Sequence, residues 1–207
     1  MGGVPGTPTE SVPALERFRL VHASNESSAR DPRRAAVKTF ERVPGAEVTV
    51  EGPANTTVTA RVQMNMTSRD RRTPTIVNGR LQYTSTGEPE TFVYEQQATT
   101  NANGEATFRL PYSTTGYEEY GVDAGYTNVS VRAAGPYQFT TPAETDEQTL
   151  VTDRYNATAH VTEGQVLGEE SGSTVTLERT ILDEPEGAQE TNTTEMIREP
   201  STLALEL

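Results

Sequence analysis

The chain has no cysteine, which excludes thiol catalysis, disulfide bonds and thiolate metal sites together. Tryptophan is also absent, and lysine is reduced to Lys38 against sixteen arginines. Only two histidines occur, His22 and His160, too far apart in sequence to form a zinc-ligand spacing. No apolar run approaches the roughly 18 residues that a membrane-spanning helix needs. The start, MGGVPGTPTESVP, lacks the basic and apolar regions of a secretory signal, and taken alone it suggests a cytosolic protein. G-x-S-x-G, P-loop and G-x-G-x-x-G motifs are all missing.

What is present is acidic. The net charge of −13 argues against a nucleic-acid partner, because phosphate binding needs the opposite sign. Arginine in place of lysine, excess Asp and Glu, and abundant Thr together read as adaptation to concentrated salt. There the Debye length is only about 3 Å at 1 M, so a dense negative surface repels itself far less than in dilute buffer.

Sequons point away from the cytosol. Nine Asn, with Ser and Thr at 44 of 207 positions, predict about two N-x-S/T triplets by chance. Six occur, at Asn25, Asn55, Asn65, Asn128, Asn156 and Asn192. This excess suggests an extracytoplasmic surface carrying N-glycans, and hence that the chain is a piece of something larger.

Nearly every ordered-looking segment reads as strand. In NTTVTARVQM, Val58, Ala60, Val62 and Met64 alternate with Thr57, Thr59, Arg61 and Gln63, the period of a strand with one wet face. ERFRLVHAS sets Phe18, Leu20 and His22 against Arg17, Arg19 and Val21, which points His22 inward as a half-buried side chain. Pro44-Gly45 suggests that AAVKTFERV and AEVTVEG sit close together. MTSRDRRTP reads as a basic loop, and Asn78-Gly79 as a type I′ hairpin turn. ETFVYEQQATT and GEATFRLPY read as a strand pair joined through NANG. YTNVSVRAAGPYQF, YNATAHVTEG and STVTLERTI supply further strands, and no convincing helix exceeds three turns.

The expected fold is all-β, an antiparallel β-sandwich. Residues 1–12 read as a Gly/Pro linker, 13–135 as the sandwich, and 136–181 as further strands of the same or a second small subdomain. Residues 182–207 read as a disordered acidic tail. Asn128, Asn156 and Asn65 fall on polar strand faces and Asn25 and Asn55 in turns, where a glycan can project into solvent.

Candidate chemistry is sparse. Glu118, Glu119 and Asp123 in YEEYGVD could hold a hard cation, but thirty acidic residues make such a cluster unremarkable, and a solvated acidic loop is the better reading. His160 lies on a polar face beside a sequon. Tyr112, Tyr117, Tyr120 and Tyr126, with Tyr137 close behind, concentrate amphipathic rings in a Gly-punctuated crossover. Packing over a sandwich edge explains them better than glycan recognition does. Judged from its residues alone the chain is an accessory β module with no catalytic, cofactor or metal residues.

RFRLVHAS, AVKTFERVPGA, GPANTTVTARVQM, FVYEQQATTNANGEATFRLPYSTTGYEEYG, GYTNVSVRAAGPY and NATAHVTEGQVLGE, in that order, resemble the C-terminal extracellular region of haloarchaeal oligosaccharyltransferases of the AglB type. The resemblance covers roughly residues 13–178. TTNANGEATFRLPY separately resembles carboxypeptidase-regulatory-like, immunoglobulin-like sandwich modules. The first family, as the resemblance implies, transfers a glycan from a dolichol phosphate carrier to Asn in N-x-S/T. It uses a divalent metal (magnesium or manganese) held on loops of a multi-span membrane portion, and a Trp-Trp-Asp-Tyr-Gly motif. Without tryptophan this chain cannot carry that motif, so no catalytic residue transfers to any position here. What the resemblance implies is a separate or truncated reading frame holding only the peripheral domain at the extracellular face. Its partner would be the catalytic membrane portion, through which alone it would meet acceptor proteins and the dolichol-phosphate-linked glycan. The rival reading is a secreted or surface-anchored adhesion or stalk module.

Overall fold

Alternation of β-branched and polar residues generates twelve strands and one short helix in the computed structural model, which describes residues 16–31, 33–148 and 151–183. The expected linker over 1–12, nearly all of the expected tail over 182–207, and Asn192 lie outside the described residues. Strands β1 (Phe18–Ala23) and β2 (Lys38–Arg42) form an antiparallel pair. Strand β3 (Ala46–Glu51) stands between β6 (Glu105–Leu110) and β11 (Ser173–Thr176). The larger sheet is founded on the hairpin of β4 (Thr57–Val77) and β5 (Arg80–Thr99). It continues through β8 (Tyr137–Thr140) and β10 (Thr152–Ala159) to β12 (Glu178–Asp183), with β7 (Val131–Ala133) on β4 and β9 (Glu144–Thr145) on β10.

The core lies between the two sheets. Val48 and Val50 of β3 and Phe108 and Leu110 of β6 face Val58, Ala60 and Met64 of β4 and Tyr137 and Phe139 of β8, all with no exposed surface. Phe108 and Phe139 meet edge to face at 5.5 Å across the layers. Each such buried Val, Leu, Met or Phe side chain contributes about 1.5–3 kcal/mol. The fold is thus the all-β sandwich that the periodicity predicts. One pairing departs from the antiparallel expectation: β11 runs parallel to β3, because helix α1 (Glu163–Leu167) carries the chain from one sheet to the other before β11 begins.

Four local readings are corrected. Pro44-Gly45 does not join a pair: β2 bonds β1, and β3 turns away to bond β6. NANG likewise joins strands of different sheets, since β5 pairs with β4 and β6 with β3. MTSRDRRTP is no loop but the middle of β4, interrupted by bulges between Met66 and Arg72, within which Arg69 is buried. In β1 Arg19, Val21 and Ala23 face inward, the opposite phase to the expected one, while Leu20 is also buried and His22 is exposed. Asn78-Gly79 closes the hairpin as expected, with φ of 51° and 73°.

Candidate functional site

The densest buried chemistry is a structural pin. Helix α1 starts at a capping box in which Thr162 accepts from Gln165 N–H and Gln165 accepts from Thr162 N–H. This places Glu163, in the first turn, beneath β1. Its two oxygens accept from Arg19 Nη1 and Nη2 at 2.8 and 2.6 Å, and Ser113 Oγ donates to the same carboxylate. Arg19 Nε donates to Glu41 at 2.9 Å, and Thr127 Oγ1 caps Glu41 at 2.6 Å. Burial works against the Arg19 charge, but its bonds to Glu163 and Glu41 outweigh that and hold its pKa above the ordinary value. Every group is spent on another protein group, so the arrangement fixes β1, β2, α1 and the tyrosine loop together instead of exposing a base or nucleophile. Sequence alternation placed Arg19 on the wet face and missed Glu163 altogether. The readable signal was Thr162-x-x-Gln165 followed by Val166, Leu167 and Gly168, the start and stop of a helix.

The tyrosine loop between β6 and β7 packs inward. Tyr112 is buried, its hydroxyl accepts Leu20 N–H at 2.9 Å, and its own carbonyl accepts the Tyr137 hydroxyl at 3.0 Å. Tyr94 meets Tyr112 edge to face at 5.2 Å. The Tyr117 hydroxyl donates to the Ser113 carbonyl and accepts Ala133 N–H at 3.2 Å, and Arg132 stacks 5.0 Å above its ring. Desolvation pushes the Tyr112, Tyr117 and Tyr137 phenols upward, most for Tyr137, which has no exposed surface. Tyr120 and Tyr126 pair at 5.3 Å nearer the surface. The rings cover the sandwich edge, with the Tyr112 and Tyr117 hydroxyls bonded to backbone.

The other singled-out residues do not converge. Glu118, Glu119 and Asp123 are exposed around a 3-10 turn at Val122–Ala124, and among the described residues no three His, Asp or Glu side chains gather to hold a metal ion. The divalent metal implied by the family resemblance therefore has no fitting residues here among those described. His22 Nδ1 lies 3.2 Å from Ser130 Oγ and His160 Nδ1 3.2 Å from Thr114 Oγ1, each on the surface. Asn25, Asn55 and Asn128 are exposed, whereas Asn65 and Asn156 are half-buried on β4 and β10. A groove of about 540 Å³ opens between the β1–β2 pair and β5, lined by Phe18, Leu20, Phe40, Phe92, Tyr94 and Tyr112. Lys38, Glu90, Thr91 and Glu95 also line it, so its wall is mainly apolar with a charged rim, which suits a packing partner better than a polar substrate.

Residues 70–175 match the family described as archaeal glycosylation protein B long peripheral domain. The chain is 46% identical over 204 residues to the dolichyl-monophosphooligosaccharide–protein glycotransferase AglB of Haloferax volcanii. That match takes in 86% of this chain and 18% of the relative's length. Among solved structures, an Archaeoglobus fulgidus oligosaccharyltransferase in complex with zinc and sulfate is similar at 22% identity and a TM-score of 0.42, over 70% of this chain and 12% of that one. The Archaeoglobus fulgidus oligosaccharyltransferase AglB, in complex with an inhibitory peptide and a dolichol-phosphate, is similar at 21% identity and a TM-score of 0.41 over 70% and 11%.

Proposed function

The chain belongs to the family of the archaeal glycosylation protein B long peripheral domain, and from that premise we propose that it is a non-catalytic β domain of an archaeal oligosaccharyltransferase acting in protein N-glycosylation. It packs beside the membrane-borne catalytic portion at the extracellular face, stabilising that portion or helping to present acceptor protein. Dolichol-phosphate-linked glycan, acceptor sequon and divalent metal are handled by that portion and not by this chain.

The family match over residues 70–175 carries this reading. Three features of the chain support it. Its buried ionic groups are consumed in holding elements together. Phe18 and Phe40 stand 41% and 56% exposed at the apolar groove, a surface suited to packing against another part of a larger polypeptide. Exposed sequons at Asn25, Asn55 and Asn128 fit an outward-facing location.

The test separates the chain from the catalytic portion. Residues 1–207 and the membrane portion of the same transferase, expressed as two polypeptides, are expected to co-purify in concentrated salt. Adding the chain should restore glycan transfer to a membrane portion that lacks it. The chain alone, given lipid-linked glycan, manganese and a sequon peptide, should transfer nothing; turnover in that reaction would overturn the proposal.

A further inference from the structure

Beyond Asp70 the β4–β5 hairpin leaves the sandwich as a two-stranded ribbon. Two bulges separate it from the body: Met66 pairs with Glu90 and Asp70 with Pro89, and then Arg72 pairs with Ser85. Within the ribbon Ile76 faces Leu81 and Pro74 faces Tyr83, which puts these four side chains on one side. Thr73, Thr75, Val77, Arg80, Gln82 and Thr84 occupy the other, mainly polar side, where Thr75 and Thr84 hydroxyls meet at 2.9 Å. The ribbon is therefore amphipathic, yet its apolar side covers no core: Ile76 is 75% and Leu81 63% exposed. An isolated two-stranded ribbon is marginally stable in water, and an exposed apolar side adds to the cost.

The base of the ribbon is fixed to a basic loop. Buried Arg69 bonds Glu90 and donates to the Ser24 and Arg33 carbonyls at 3.0 Å each, and Arg72 donates to the Asn25 carbonyl at 2.9 Å. Residues 28–38 and 70–88 together hold seven cations (Arg30, Arg33, Arg34, Lys38, Arg71, Arg72 and Arg80) and three acids (Asp31, Asp70 and Glu88). That pole is +4 in a chain of net −13, which leaves −17 for everything else. Arg33 and Arg34 ion-pair with Asp31, and Arg71 with Glu88. The Arg69 bond to the Arg33 carbonyl ties the basic loop to the base of the ribbon, where Arg72 shares the side of Pro74 and Ile76.

We propose that this ribbon is a membrane-interface anchor: the side bearing Pro74, Ile76, Leu81 and Tyr83 enters the headgroup region of an anionic lipid bilayer while the surrounding arginines pair with lipid phosphates. An apolar side flanked by cations is complementary to such an interface. Arg is suited to the role because its planar fork bonds phosphate in a bidentate manner, an interaction that survives salt better than long-range attraction. Neither the ribbon nor its charge depends on the transferase reading.

Because the chain lacks tryptophan, one introduced indole reports without background. Leu81→Trp in the 207-residue chain is mixed with vesicles of equal phosphatidylglycerol and phosphatidylcholine, with phosphatidylcholine alone, and with soluble polyglutamate. The expected result is a blue shift and quenching by bromolipid on the anionic vesicles only, while Val122→Trp, 64% exposed on the tyrosine loop, stays unshifted. Ile76→Ser combined with Leu81→Ser should weaken vesicle flotation about tenfold, with the circular dichroism melt unchanged. Equal shifts at both indoles, no shift on any vesicle, or a shift only on adding the membrane portion in detergent would overturn the anchor. The last outcome would assign the ribbon to a protein partner.

Discussion

The Arg19 guanidinium and the Glu163 carboxylate, 144 residues apart along the chain, meet through two hydrogen bonds of 2.8 and 2.6 Å, each side chain 2% exposed. Removing one partner leaves a buried charge unpaired, so Arg19→Met or Glu163→Leu should each cost about 3–5 kcal/mol. Arg19→Met together with Glu163→Leu should cost far less than the sum of the singles. Urea denaturation of the four proteins in the cycle measures the difference, and additive losses would show that the pair is not a unit.

Stability should fall at high pH. Burial raises the Tyr112 and Tyr137 phenols in the folded chain, whereas the unfolded chain ionises them at about 10. Their contribution is fully present below that unfolded value and is lost as pH rises through the folded one, since unfolding then releases protons. The urea midpoint at pH 11 should lie below that at pH 8. Absorbance at 295 nm should show these phenols ionising only with unfolding.

Tyr112→Phe should keep the edge-to-face contacts with Tyr94 but strand the buried Leu20 N–H that its hydroxyl accepts. The expected loss is about 1–3 kcal/mol. Amide exchange at Leu20 should accelerate more than at Val58 in the sheet centre.

Gly104 turns with φ of 83° between the two sheets, and a Cβ there would overlap the Gly52 carbonyl oxygen. Gly104→Ala should therefore destabilise by about 1–3 kcal/mol. Gly79→Ala, also at positive φ but with open space around it, should cost less. Thermal melts of the pair distinguish steric overlap from backbone strain alone.

Sequon occupancy should follow exposure. Asn25, Asn55 and Asn128 are open, whereas Asn156 Nδ2 donates to Thr180 Oγ1 of β12 at 2.7 Å and must give up that bond to carry a glycan. Intact and peptide mass spectrometry of native protein should find the first three more fully modified than Asn65 and Asn156. Full occupancy at Asn156 with none at Asn128 would sink the ordering.

Strand identity was legible wherever a strand alternates without interruption, as β4 does from Val58 to Met64. It failed at two buried arginines. In β1 the phase itself was misread, since Arg19, Val21 and Ala23 face inward and His22 outward, and the bulges in β4 hid Arg69 in what reads as a basic loop. A bulge is set by the partner strand, and the acid that accepts Arg19 lies 144 residues away, so no window of sequence around either arginine contains the cause. The turn at Asn78-Gly79 was readable because its chemistry is local, whereas the pairing of β3 with β6 and β11 depends on segments more than fifty residues away.

By itself the sequence determined the class of the protein. Period-two patterning without long apolar runs dictates a half-wet β fold, the absence of cysteine and tryptophan removes whole chemistries, and the ordered segments identify the family. Tertiary structure alone decided what the polar residues do, because a charge gains or loses its meaning only with its neighbours. It joined Arg19 to Glu163 as a buried pin and turned the tyrosine loop into an inward cover. It also left the Ile76–Leu81 side of the ribbon facing outward with arginines around its base. Burial and proximity are properties of chain crossings, and these are not written in any one stretch of residues.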